Sequence, residues 1–389
     1  MASLSSPLAP IPFALGQHRP PRDVRVVVAM SGGVDSSVVA AALHAQGYDV
    51  AGVTLQLYDA GEAAGRKGAC CAGKDIYDAA EVARSRGFPH YVFNYQDVFR
   101  QEVIDAFADS YVRGETPVPC VECNKSVKFR DLWKAAKELG ADALATGHYV
   151  RRVDGENGPE LRRARDFSKD QSYFLYATTQ EQLAFMHFPL GAMEKSDVRA
   201  LALELGLSVA DKPDSQDICF VPNGKYGELV AKLRPGALDP GPIRHVDGRV
   251  IGEHSGVIHY TVGQRRGLGI GWSEPLYVVG VDPALKTVTV GPEDALKTTV
   301  FFIGATNALD ERLTRRNAAF ACIARHRSTH AGCDAVVTPM GEGRARVEVK
   351  TPERAVTPGQ ACVLYDGDHV LGGGTILRSD ALSLHASAA

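Results

Sequence analysis

Serine, glycine and aspartate are interleaved in Ala29-Met30-Ser31-Gly32-Gly33-Val34-Asp35-Ser36-Ser37, a mixture suited to holding a polyphosphate. Glycines let a backbone approach phosphate closely. The hydroxyls of Ser31, Ser36 and Ser37 donate hydrogen bonds, and Asp35 supplies a carboxylate for the magnesium side. An apolar run over 24–29 precedes this stretch and a helix-like run over 36–46 follows it. The loop therefore sits at a strand-to-helix turn, where unpaired N–H groups and the helix dipole favour anions. It holds neither G-x-x-x-x-G-K-[ST] nor G-x-G-x-x-G, so no lysine of its own reaches a terminal phosphate. The ligand-free alternative is an ordinary strand–turn–helix. The full pattern in this context favours the phosphate cradle.

A second chemistry comes from sulfur. Cys120 and Cys123 stand in Thr116-Pro117-Val118-Pro119-Cys120-Val121-Glu122-Cys123-Asn124-Lys125. The two prolines predict an extended loop, with a helix beginning at Ser126 and ending at Leu139. A thiol at a helix N-terminus is acidified, which makes Cys123 a thiolate candidate. The alternative is half of a zinc site. That needs a second pair, and Cys322 and Cys333 have the wrong spacing. Cys219, between Ile218 and Phe220, reads by itself as a buried structural cysteine. Cys70 and Cys71 are adjacent and read as structural, and Cys322, Cys333 and Cys362 as small core residues. His148 follows Gly147 at a strand end, a position that fits a site role.

The elements that must position these groups alternate strand and helix: strands over 50–57, 90–95 and 142–146, helices over 75–87, 97–114 and 195–206, and a loop over 59–73. Alternation of this kind implies a parallel sheet with right-handed crossovers and a ligand site at the carboxyl ends of its strands. A hairpin is expected over 151–165, with arginines at 151, 152, 162, 163 and 165. Beside it lie Lys169, Asp170, Gln171 and aromatic residues, a mixture suited to an RNA loop; a solvated basic hairpin is an equal alternative. Past residue 222 short β-rich runs replace helical periodicity, among them 250–252, 277–281 and 287–290, with the basic, glycine-rich loop 260–269. From 297 onward, strands over 319–324, 335–338, 344–350, 361–365 and 374–377 predict a small β-barrel. Between Arg312 and Arg354 nine Lys or Arg face four acidic residues, in a chain whose net charge is −3. That surface is a candidate for an RNA backbone.

The fold class is therefore α/β: a pyrophosphate-loop (Rossmann-like) sheet domain over 23–221, a mostly β central domain over 222–294 and a barrel over 295–378. The ends, 1–22 and 379–389, read as disordered tails. A chain of 389 residues with 45% hydrophobic and 23% charged residues is of globular type, and two or three domains are expected. No apolar run approaches a membrane span, and the first 22 residues lack the basic and apolar parts of a signal peptide. Eight cysteines without secretory features argue against a disulfide scaffold.

The loop resembles the S-G-G-x-D-S pyrophosphate loop of enzymes that split ATP between its α and β phosphates and place AMP on a carbonyl oxygen. With it, in order, come TPVPCVECNKSVKF from 116, ATGHYVRR from 145, KDQSYFLY from 169, DSQDICF from 214, YTVGQRRGLGIG from 260 and VTPGQACVLY from 356. Together these resemble the tRNA-specific 2-thiouridylases over residues 24–378. The resemblance implies that ATP and Mg²⁺ bind at residues 29–36 (Ala29, Met30, Ser31, Gly32, Gly33, Val34, Asp35, Ser36), with Leu55 and Gly147 framing the nucleotide. It implies a splayed-out wobble uridine of the tRNAs for lysine, glutamate and glutamine as substrate. A cysteine desulfurase or sulfur-relay protein would load a persulfide on Cys219. Cys123 would act as nucleophile, through a transient disulfide with Cys219 or directly. Contacts to tRNA map to His148, Lys169, Asp170, Gln171, Arg325, His326 and Gln360, and the setting is cytoplasmic.

One position departs from the family's common pattern: Cys120 stands where many members carry the aspartate that meets the target base. Cys120, Cys123 and Cys219 form a set able to hold a [4Fe–4S] cluster. Two other readings are a pyrophosphate-loop ligase acting on a small carboxylate and a non-catalytic RNA-binding protein with a decayed nucleotide site.

Overall fold

The computed structural model describes residues 19–57, 73–214, 218–221, 224 and 226–378. The expected loop over 59–73, with Cys70 and Cys71, lies almost wholly outside them, as do both expected tails apart from 19–22. The described chain packs into two compact units that do not follow chain order. One comprises the described residues within 19–97, 126–172 and 180–219; the other those within 98–125, 173–179 and 220–378.

The first unit is built on a parallel sheet of β1 (Arg25–Ala29), β2 (Asp49–Gln56), β3 (His90–Asn94) and β4 (Ala143–Thr146). After the antiparallel hairpin of β5 (Val150–Gly155) and β6 (Gly158–Arg163), the short β7 (Met186–His187) adds the fifth parallel strand. The middle strands read as unbroken apolar runs because helices cover both faces of a parallel sheet: Val26, Val27 and Val28 are fully buried. β1 aligns Val26 with Val50 on one side and with Ala143 on the other. The helix Val34–Ala45 packs its Val38, Val39 and Leu43 into the same core as the helix Lys195–Glu204, through Val198 and Ala202. The spatial order is β3-β2-β1-β4-β7, so connectivity reverses between β1 and β4, and the crevice at their carboxyl ends is where the cradle loop lies. β7 spans only two residues, too few for any periodicity to register.

In the second unit, β8 (Gly241–His245), β9 (Val250–His254), β10 (Tyr277–Asp282) and β11 (Thr287–Gly291) form a sheet in the order β10-β11-β8-β9. β12 (Lys297–Ala308), β13 (Phe320–Arg325), β14 (Cys333–Gly341), β15 (Arg344–Arg354), β16 (Ala361–Asp366) and β17 (His369–Ile376) close a six-stranded barrel, with Ile303 of β12 opposite Ile376 of β17. Cys322 and Cys362 are buried in its core with Ile303, Val337, Val347 and Leu364, as expected for small core residues, and Cys333 packs against it. Burial pushes the Cys322 and Cys333 thiols up to about 12, which makes them poor thiolates.

Two local expectations are corrected. The α-helix Pro119–Glu122, a π-helical stretch Cys123–Phe129 and the α-helix Arg130–Glu138 follow one another without a break, so the helix starts seven residues before Ser126. Pro119 does not forbid it, because proline at the first helical position lacks only an N–H that would have had no partner. Cys120 therefore occupies the first turn, and Cys123 lies one turn inside, at the start of a π-helical stretch. The helix expected over 97–114 likewise divides into Gln96–Phe99, a π-helical Arg100–Asp105 and Ala106–Val112.

Candidate active site

The cradle loop is held open by its own side chains. Ser36 Oγ accepts from the Ser31 N–H at 3.1 Å and lies 3.4 Å from Ser31 Oγ, and Gly33 is the N-cap of Val34–Ala45. Gly32 has φ +71°, and a Cβ there would overlap the Asp75 carbonyl. Gly32→Ala is expected to abolish ATP binding by forcing the loop away from the helix Gly73–Arg86. Isothermal titration with ATP and magnesium checks this, and wild-type affinity in the variant would contradict it. At Gly147, just past β4, a Cβ would come 2.8 Å from the Ser36 N, so glycine lets this strand end close against the start of the helix. Met30 and Leu55 are buried beneath the loop, and Thr54 Oγ1 donates to the Met30 carbonyl at 2.7 Å.

Three ionisable residues outside the motif complete the electrostatics. Lys195 is 8% exposed, and its Nζ lies 2.7 and 2.8 Å from the two Asp35 oxygens and 3.0 Å from Asp214. Tyr149 donates its hydroxyl to Asp35 Oδ1 at 2.9 Å; burial, then the Asp35 charge, drives its pKa far up, so it stays a donor. Lys212 donates to the Gly32 carbonyl at 2.8 Å and pairs with Asp75 and Asp78. A lysine on the loop was excluded by motif. The fold instead brings in two from 160 or more residues away along the chain. The only sequence sign of Lys195 was its place at the start of an amphipathic helix. Asp35 as found is thus paired with an ammonium. Asp35 and Asp214, both about Lys195 Nζ, offer hard carboxylate oxygens of the kind magnesium takes.

Asp214 also binds Lys169 at 2.9 Å and Arg199 at 2.9 Å. Burial would raise its pKa, but Lys169 and Lys195 outweigh that and hold it at about 2. Asp214 opens the stretch that ends in Cys219, which is partly exposed; residues 215–217 lie outside the described residues. Phe220 is 3% exposed and packs edge-on against Phe99 and Phe107, anchoring the chain beside Cys219.

In the second unit Cys123 is buried and Cys120 partly so. Thr116, ahead of them, joins three motifs: its N–H donates to the Pro358 carbonyl, its carbonyl accepts from Gln360 Nε2 at 2.8 Å, and its hydroxyl bonds Thr261. A Cβ on Gly359 would come 2.8 Å from the Thr116 N. Gln360 thus positions the cysteine segment on the barrel.

The other residues mapped to tRNA are placed as follows. Asp170 is enclosed, its carboxylate bonded to Arg163 and Ser172, so it orders the loop. Gln171 Oε1 accepts from the Tyr149 N–H at 2.8 Å, and Lys169 is paired to Asp214. Arg325 is 8% exposed and donates to the His330 and Ser328 carbonyls; His326 is fully buried against Glu353. Arg152, Arg162 and Arg163 of the hairpin each pair with a carboxylate.

Burial, then Lys128, pushes His148 down to about 3; burial, then Arg152, pushes His187 down to about 4. His148 bonds Thr146 Oγ1 through Nδ1 at 2.7 Å. Both rings stay neutral in the folded chain where an unfolded chain takes up protons, below about pH 6.5. Stability is therefore unaffected by these groups above that pH and falls as pH drops toward 4. The urea midpoint should decrease between about pH 7.5 and about pH 5, and His187→Gln should flatten that dependence. An unchanged slope in the variant would contradict it.

Residues 24–223 match the family described as tRNA methyl transferase HUP domain, 230–292 the tRNA methyl transferase PRC-barrel domain, and 300–376 the aminomethyltransferase beta-barrel domain. A protein of Cereibacter sphaeroides named tRNA-specific 2-thiouridylase MnmA is 58% identical over 369 residues, 94% of this chain and 97% of its own. Proteins of the same name from Ruegeria pomeroyi (57%, covering 94% and 98%) and Rickettsia conorii (56%, covering 91% and 95%) agree. The domain descriptions mention methyl transfer, but identity over nearly the whole chain outweighs them: the chain belongs to the tRNA-specific 2-thiouridylase family.

Proposed function

We propose that this tRNA-thiolating enzyme acts at the C2 oxygen of the wobble uridine in tRNAs for lysine, glutamate and glutamine. ATP binds over Ser31–Ser36, and the uridine O2 attacks the α-phosphate, forming the O2-adenylate and releasing pyrophosphate. Adenylation turns a poor leaving group into AMP. The outer sulfur of a persulfide on Cys219 attacks C2 and AMP departs. The Cys123 thiolate then attacks Cys219 Sγ, closing a disulfide and freeing the 2-thiocarbonyl. An external thiol reduces that disulfide, and a cysteine desulfurase or sulfur-relay protein reloads Cys219. Magnesium, held by Asp35 and Asp214, would neutralise charge on the phosphates. Lys195 and Lys212 orient the carboxylates and the loop. The work belongs in the cytoplasm, where tRNA is found; among the described residues no helix is long and apolar enough to cross a membrane.

The observation that carries this reading is the Asp35–Lys195–Asp214 link. It ties the phosphate loop to the segment bearing Cys219, five residues on, which a chain spans in at most about 18 Å. AMP release that depends on tRNA tests the reading. Release driven equally well by a small carboxylate, with no tRNA present, would favour a ligase.

The helical placement of Cys120 and Cys123, three residues apart on one turn, favours a second reading. With Cys219 they would ligate a [4Fe–4S] cluster whose open iron supplies sulfide. Iron and sulfide analysis of anaerobically reconstituted protein decides between the two.

A further inference from the structure

His326, His330 and Glu353 lie in the barrel, outside the sulfur-transfer site. One ligand atom from each lies within 4.8 Å of the others. His326 Nε2 is 3.0 Å and His330 Nε2 3.2 Å from the same oxygen, Glu353 Oε2, and the two rings are 4.1 Å apart. The His326 side chain is 0% exposed; those of His330 and Glu353 are 20% and 19% exposed. As found, both rings aim a nitrogen at one carboxylate oxygen, and the other nitrogen of each, Nδ1, is buried with no hydrogen-bond partner. Two imidazoles sharing one acceptor, each with an unsatisfied nitrogen, make a poor hydrogen-bond cluster.

The same geometry suits a cation. A tetrahedral zinc with arms of about 2.0–2.1 Å has ligand–ligand edges of about 3.3 Å, so the two nitrogen–oxygen separations need move by only a few tenths of an ångström. The scaffold already holds this shape. Arg325 Nε donates to the His330 carbonyl at 2.8 Å, its Nη2 to the Ser328 carbonyl at 2.6 Å, and Arg327 Nη2 to the Arg354 carbonyl at 2.6 Å. Cys333 Sγ donates to the Ala324 carbonyl at 3.4 Å, which ties the start of β14 to β13 beside the cluster.

We propose that His326, His330 and Glu353 bind one zinc-class divalent cation, with water as the fourth ligand. The ion cross-links β15 to the loop between β13 and β14, and so fixes the segment that carries Arg325 and His326. It takes no part in sulfur transfer.

The test uses the full chain with Cys120, Cys123 and Cys219 all replaced by serine, because those thiols would take up metal themselves. The protein is stripped with chelator, then titrated with zinc chloride by calorimetry and with cobalt chloride by visible absorption. One equivalent of zinc and the intense bands of four-coordinate cobalt are expected. His330→Gln and Glu353→Gln, verified as folded by circular dichroism, should each weaken binding by more than about 100-fold. His330 is partly exposed, which makes its variant the safer for folding. No uptake by the parent, a weak six-coordinate cobalt spectrum, or unchanged affinity in both variants would overturn the proposal.

Discussion

Cys219→Ser is expected to lower 2-thiouridine formation by at least about 10³-fold while leaving the first turnover of tRNA-dependent pyrophosphate release near the parent rate. A serine oxygen cannot carry a sulfane sulfur, so no slower version of the same route remains. On the proposed route adenylation depends on the cradle loop, Lys195 and Lys212, none of which the substitution touches. Cys123→Ser should likewise stop turnover, but after persulfide forms on Cys219, so bound sulfur should accumulate. Cys322 is the matched control. It is a barrel thiol pushed up to about 12 by burial, and Cys322→Ala should change stability alone. Product quantification by nucleoside mass spectrometry, beside a single-turnover pyrophosphate assay, separates these outcomes. Retained thiolation in Cys219→Ser would remove Cys219 from the mechanism.

The second large effect is expected from Lys195→Met. The ammonium lies between Asp35 and Asp214, and its side chain is 10% exposed. Without it two carboxylates face each other in a half-buried site. Breaking a buried pair in this way costs about 3–5 kcal/mol; the carboxylates here are 30% and 23% exposed, so the lower end, about 3 kcal/mol, is expected. AMP formation should fall by about 10² or more, because the loop's charge balance and carboxylate placement are both lost. Adding Asp35→Asn to Lys195→Met should restore much of the stability and none of the activity. Urea denaturation of the four-member cycle measures the coupling. Strict additivity would show that the pair is not an energetic unit.

The parallel sheet and the barrel were legible because their signals are local. β1 and β4 are continuous apolar runs, β14 and the first half of β15 alternate buried with more exposed residues, and β16 is an apolar run between turns. The phosphate loop was legible because it is one continuous motif. β7 and β8 were not: the first has two residues, and the second opens with Gly241-Pro242, which reads as a break. The helix start at Pro119 was misplaced because two prolines were read as breakers, although one fits the first turn. Lys195, Lys212, Asp214 and Tyr149 escaped as members of the phosphate site because they come from distant segments, and no spacing rule connects Asp35 to a lysine 160 residues later. His326 shows the converse. Its neighbourhood was marked by charge count as an RNA surface, yet the side chain is enclosed against Glu353, because residue counts do not tell which way a side chain points.

On the proposed mechanism, ATP cleavage at the cradle loop drives sulfur onto uridine. The test is nucleoside mass spectrometry of unmodified tRNA-Glu incubated with the protein, ATP, magnesium, a cysteine desulfurase with cysteine as persulfide donor and an external thiol, with and without reconstituted iron–sulfur cluster. 2-Thiouridine is expected at the wobble position, formed without iron and dependent on ATP. Conversion of ATP to AMP with no thiolated nucleoside under either condition would contradict it.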